Sequence, residues 1–195
     1  MTRSLWNSLM TVPNMISSFR FVAAPALLWL AWHDYYRTYI AVLCLSFLSD
    51  AMDGYIARKL KQESQLGTLL DTWADIVIYI TLPISAWWLW PEIMRQQIPF
   101  VSAVVISYTL PGLIGMLKFG VLTTYHTWSV KAAVAFMGST SVLMFAGGPA
   151  WPFRLATLIC ILAALENIAI TVVLPDLRSN VRSLWHVLRE VRSST

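Results

Sequence analysis

Charge is scarce in this chain. Asp, Glu, Lys and Arg make up 12% of its 195 residues, against about 25% in a soluble globular domain. Hydrophobic residues make up 57%. An ordinary soluble domain is therefore excluded, because its surface could not be covered. Ligands for soft metals are equally short, with three histidines and two cysteines. Cys44 and Cys160 stand apart in apolar runs, so they read as small buried hydrophobes and not as a disulfide or metal pair. The net charge is only +4, and its charges are dispersed. That suits an anionic membrane surface or anionic substrates rather than nucleic acid. No internal repeat, low-complexity segment or cleavable signal peptide stands out.

Ten tryptophans and seven tyrosines are present, as in membrane proteins with aromatic interfacial belts. A membrane-spanning helix needs about 20 apolar residues. The pattern predicts six spans: 15–32, one from 39 to the acidic residues past 50, 69–90, 100–119, 130–146 and 155–174. Pro13-Asn14 is expected to break the chain before the first span, residues 91–97 to form a turn, and Pro111-Gly112 to kink or interrupt the fourth span. Leu5, Trp6, Leu9 and Met10 before the spans fit a short helix lying in the interface. Val181, Leu184, Trp185, Leu188 and Val191 after them do the same. The expected fold is thus all-α: a polytopic six-transmembrane-helix bundle with short interfacial helices at both termini, one domain over residues 1–195.

Six spans put both termini on one side. That side carries ten basic residues: Arg3, Arg58, Lys59, Lys61, Lys118, Lys131, Arg178, Arg182, Arg189 and Arg192. The other side has three, Arg37, Arg95 and Arg154, and Arg20 lies inside the first span near its start. By the positive-inside rule both termini are cytoplasmic.

The same side holds Asp50, Asp53, Asp71 and Asp75, four carboxylates in 26 residues with apolar sequence beyond each end. A charge at the centre of a spanning helix costs roughly 2.5–3.5 kcal/mol on insertion scales. Something must neutralise four of them. Residues three and four apart share a helix face. Asp50 and Asp53 therefore share a face of span two, and Asp71 and Asp75 a face of span three. The intervening loop, basic with Arg58, Lys59 and Lys61 and ending near Gly67, makes the two spans antiparallel neighbours. An all-carboxylate set favours Mg²⁺ or Mn²⁺ over zinc. Four carboxylates can hold two such ions in the manner that clamps the attacking and leaving oxygens of phosphoryl displacement. Gly54 lets a ligand approach the backbone, Ala57 keeps the surface shallow, and Arg58 offers paired donors to a phosphate. Taken singly, the glycines could serve only helix packing.

Aspartate, two residues, aspartate-glycine, two residues, alanine-arginine, eight residues, glycine, three residues, aspartate, three residues, aspartate is the order found at residues 50–75. It resembles the signature of the CDP-alcohol phosphatidyltransferase family. Pro13-Asn14, Ser17 and Arg20 are similar to that family's opening segment. The resemblance implies transfer of a phosphatidyl group from a CDP-linked lipid, CDP-diacylglycerol, to an alcohol, with release of CMP. It also implies two divalent ions bridged by Asp50 and Asp71, with Asp53 completing one site and Asp75 the other. Asp75 would also be the base for the acceptor hydroxyl. Asn14, Ser17, Gly54, Arg58 and Ser64 match positions that hold the CDP moiety. An integral membrane protein of a bacterial inner membrane is the implied setting, with the site cytoplasmic and a homodimer compatible.

The acceptor should be read from the second half, where the sequence says less. Lys118, Tyr125, His126, Thr127, Trp128 and Lys131 cluster around one loop. They could bind an acceptor phosphate, which favours glycerol 3-phosphate, or serve as interfacial anchors. The glycine-lysine-x-lysine-threonine run common in phosphatidylglycerophosphate synthases is missing here. Glu166 in span six is a functional candidate or a partner of Arg20 or another polar group. Two other readings compete. A cation- or proton-coupled transporter would spread its acids near the midplane and repeat its helices. A membrane prenyltransferase would hold its aspartate-rich motifs far apart in the chain.

Overall fold

Six helices account for nearly all of the chain that the computed structural model describes, residues 11–60, 65–120, 127–174, 183–185 and 189. They are α1 (Val12–Trp32), α2 (Tyr36–Leu60), α3 (Gln65–Leu89), α4 (Pro91–Phe119), α5 (Trp128–Phe145) and α6 (Trp151–Val173). Each is long and apolar enough to cross a membrane, and among the described residues there is no strand. The expected all-α, six-span fold is the one observed. The interfacial helix expected within residues 1–13 falls almost wholly outside the described residues, which begin at Thr11. So does most of the one expected after residue 174, where Leu184 and Trp185 are helical.

Several boundaries differ from the expected ones. Pro13 belongs to the first spanning helix and not to a connection before it: it sits in the first turn of α1 after the extended Thr11, where its missing N–H and fixed φ cost nothing. Residues 91–97 are helix and not a turn, for the same reason: Pro91 opens α4. Glu92 in the first turn suits the helix dipole and pairs with Arg95 at 2.9 Å. α4 then continues through Pro99 and Pro111 without interruption. The basic segment is also largely helical, since α2 carries on past Asp53 to Leu60 and Gly67 lies within α3. One glycine costs a helix about 1 kcal/mol, which good helix formers such as Arg58, Lys59 and Leu60 outweigh. Cys160 is buried as expected, whereas Cys44 is exposed; both are free.

The chain divides into two compact units, residues 1–95 and 96–195. In the first, α1 packs against both α2 and α3. Its inward face follows helical spacing: Asn14, Ser17, Arg20, Ala24, Leu27 and Ala31 are all buried. The face is polar for two turns and apolar thereafter. α2 repeats the scheme in reverse, with Tyr39, Leu43 and Ser46 buried before Asp50 and Asp53. Ala74, Ile78, Thr81 and Ser85 form the buried stripe of α3. Tyr39 Oη and Ser85 Oγ share a buried hydrogen bond of 2.7 Å. Trp32 meets Trp88 edge to face, as Tyr39 does Trp90. One end of this unit is thus aromatic, and its acids lie in the opposite half.

In the second unit α5 packs on α6. Thr127 caps α5, accepting from Val130 N. Gly147, at φ +90°, ends it, a conformation that favours glycine. Arg154 donates through Nε to the buried Gln97 Oε1 at 3.0 Å and lies over the Phe100 ring.

Candidate active site

The polar halves of α1, α2 and α3 meet around one side chain, Arg20, which is 1% exposed. Its Nη1 donates to Asp50 Oδ1 at 2.6 Å and to Asp75 Oδ1. Its Nη2 donates to Asp53 Oδ2 at 2.6 Å and to Asp71 Oδ1. Each terminal nitrogen therefore ties one aspartate of α2 to one of α3. Three-residue spacing on α1 explains the fit: Asn14, Ser17 and Arg20 share a face, and all three are buried. Ser17 Oγ donates to Asp53 Oδ2 at 2.7 Å.

The four carboxylates are not equivalent. Asp53 has a side-chain exposure of 6%, while Asp50, Asp71 and Asp75 stand at 32%, 37% and 31%. Asp53 forms the floor, and the other three line an accessible rim. Oxygens of Asp50, Asp53 and Asp71 come within 4.8 Å of one another, close enough to ligate one metal ion. Asp75 lies outside that triplet and joins it through Arg20. A single guanidinium against four carboxylates leaves a formal excess of three negative charges. Such a donor set, all oxygen and net negative, fits a hard divalent cation.

Gly54 and Arg58 lie on α2 beyond Asp53, and the structure does not describe their side chains. Ser64 lies outside the described residues, as do Tyr125 and His126. The central place of Arg20 is the main feature that sequence reasoning missed. Its signal was the spacing from Asn14 and Ser17, which puts a buried cation on their face.

The acceptor-loop candidates in the second unit are differently employed. Lys118 Nζ donates to the backbone oxygens of Thr171, Val172 and Leu174 at 2.8, 2.9 and 2.8 Å. All three of its donors are spent on the C-terminal end of α6. Lys131 lies over the Trp128 ring. Glu166 accepts from Ser129 Oγ and from the backbone N–H of Leu184, so its partners are these and not Arg20.

A CDP-alcohol phosphatidyltransferase family model matches residues 10–178, which takes in α1 to α6 and the whole acidic cluster. The chain belongs to this family. It is an integral, multi-pass membrane protein of the CDP-alcohol phosphatidyltransferase family, whose members depend on divalent metals. Cardiolipin synthase (CMP-forming) of Streptomyces coelicolor is 28% identical over 166 residues, 80% of this chain and 74% of that protein. CDP-diacylglycerol–glycerol-3-phosphate 3-phosphatidyltransferase of Aquifex aeolicus is 35% identical over 68 residues, 35% of this chain and 38% of that one. Cardiolipin synthase (CMP-forming) of Homo sapiens is 38% identical over 85 residues, 43% of this chain and 28% of its own. Against mycobacterial relatives 40% identical over 79 residues, the matched stretch spans only 38% of the relative's length. No solved structure matches the chain.

Proposed function

We propose that this CDP-alcohol phosphatidyltransferase moves a phosphatidyl group from CDP-diacylglycerol to an alcohol, releasing CMP, in the cytoplasmic half of α1, α2 and α3. The observation that carries the reading is the convergence of Asp50, Asp53, Asp71 and Asp75 on one guanidinium. A transporter reading is disfavoured because these acids all fall in one half of α2 and α3, and the sequence shows no repeat of helices. Asp50, Asp53 and Asp71 would hold one divalent ion, Mg²⁺ or Mn²⁺, and Asp75 with Asp50 and Asp71 a second. Bound there, such ions supply the positive charge that screens a diphosphate and steadies a leaving phosphate.

The chain's own residues do the rest. Asn14, Ser17, Gly54, Arg58 and Ser64 bind the CDP moiety and fix the phosphorus to be attacked. The acceptor oxygen forms a bond to the phosphorus that carries diacylglycerol, and the bond from that phosphorus to the CMP oxygen breaks. The hydroxyl proton passes to Asp75, which stands on the accessible rim and must be within hydrogen-bond reach of the acceptor. A site at the membrane surface suits a donor with a polar head and two acyl tails. The same surface suits a bacterial inner membrane, with both termini cytoplasmic.

The acceptor we favour is phosphatidylglycerol, which with CDP-diacylglycerol gives cardiolipin and CMP. Two observations support it. A relative matched over 80% of this chain is named cardiolipin synthase (CMP-forming). Lys118, a candidate for the phosphate of glycerol 3-phosphate, is occupied by three carbonyls. Glycerol 3-phosphate is the second reading, supported by the name of the Aquifex relative. Proteoliposomes given CDP-diacylglycerol with either acceptor decide between them. Cardiolipin formed with phosphatidylglycerol, and no phosphatidylglycerophosphate from glycerol 3-phosphate, is expected; the opposite pattern overturns the choice.

A further inference from the structure

Arg20 is placed where a divalent cation would need to act. It already holds Asp50 Oδ1, Asp53 Oδ2 and Asp71 Oδ1, one oxygen from each member of the triplet. Each aspartate has a second oxygen. A divalent ion bound through those would still lie a few ångströms from the guanidinium, where like charges repel strongly. The arginine's own position is also incompletely satisfied. Its Nε–H is buried with no acceptor among the described residues, an arrangement that carries a desolvation cost.

We propose that Arg20 is an exchangeable counter-ion: it holds the four carboxylates in register and gives them up to divalent cations. Arginine and metal then compete for the same negative charge. The inference rests on the reading of the aspartates as metal ligands. Arg20 is a positioning residue in this account, acting through the carboxylates. Its geometry makes the exchange graded, because each Nη holds one aspartate from each helix. Releasing Asp71 leaves Nη2 on Asp53, and releasing Asp50 leaves Nη1 on Asp75. Asp53, held by both Arg20 and Ser17, anchors the arginine while the rim aspartates turn to metal.

A purely structural role predicts the opposite sign for metal binding. If Arg20 only braced the site, removing it would scatter the carboxylates and weaken metal affinity. If it competes, removing its charge strengthens that affinity. The full-length protein, without any CDP-lipid, is titrated with Mn²⁺ while free ion is followed by electron paramagnetic resonance. Arg20→Met is expected to bind Mn²⁺ at least about tenfold more tightly than the wild type, given the repulsion removed. Arg20→Lys, which cannot reach four carboxylates at once, is expected to fall between them. Thermal unfolding supplies the second readout: Mg²⁺ should raise the melting temperature of Arg20→Met by more than that of the wild type.

Unchanged or weaker Mn²⁺ affinity in both variants overturns the counter-ion role while leaving the metal site standing. Absence of Mn²⁺ binding in the wild type overturns the metal reading itself. Should Arg20→Met fail to fold even with saturating Mg²⁺, an Arg20→Lys affinity no tighter than wild type overturns the exchange, and a tighter one supports it.

Discussion

Ser17 Oγ donates to Asp53 Oδ2 at 2.7 Å, across 36 positions of sequence. The bond joins the polar start of α1 to the deepest carboxylate of the cluster. A hydrogen bond to a charged group contributes about 1.5–3 kcal/mol. Ser17→Ala should therefore lower stability by about that amount, read from denaturant unfolding in detergent. Asp53 keeps its contact to Arg20, so the protein should remain folded. A Ser17→Ala protein as stable as the wild type would show the bond to be energetically idle.

Much of this site was legible before the structure. Three- and four-residue spacing places Asp50 with Asp53 and Asp71 with Asp75, and the short connection brings the two pairs together. Helix periodicity and apolar length were enough for the six spans. What escaped was Arg20's position among the acids, because no periodicity within one helix tells which neighbouring helix it faces. The start of α4 was also misread. Proline reads as a breaker, yet at a first turn it is favoured, and Pro13 and Pro91 both occupy such turns. For Gly67 the sequence left a tight loop and a close helix contact both open, and it lies in the first turn of α3. The part Lys118 plays could not be read at all, since its partners lie 53 to 56 residues away.

The aspartates should divide by role. Asp71 belongs to the triplet whose oxygens lie within 4.8 Å, and Asp75 does not. Asp71→Asn is expected to lose both Mn²⁺ binding and CMP release. Asp75→Asn is expected to retain at least one bound Mn²⁺ while its rate falls about 10²–10⁴-fold, the usual worth of a general base. Paired metal titrations and initial rates on the two variants check this. An Asp75→Asn enzyme of normal rate would remove the assigned base.

Lys118 should behave as a helix cap. Its ammonium satisfies three carbonyls at the end of α6, and a cation at that terminus contributes up to about 2 kcal/mol. Lys118→Met is expected to lose about 1–2 kcal/mol of stability with the acceptor KM unchanged. A large rise in KM without loss of stability would return Lys118 to the acceptor site.

The central claim is a metal-dependent phosphatidyl transfer, and release of CMP tests it most directly. The purified protein is reconstituted with CDP-diacylglycerol, phosphatidylglycerol and Mg²⁺ or Mn²⁺, and CMP is measured over time. CMP should appear in step with cardiolipin, stop when EDTA is added, resume when the metal is restored, and be absent in Asp71→Asn. No CMP from phosphatidylglycerol, glycerol 3-phosphate, inositol, serine or choline, or release that EDTA and Asp71→Asn leave untouched, would contradict the account.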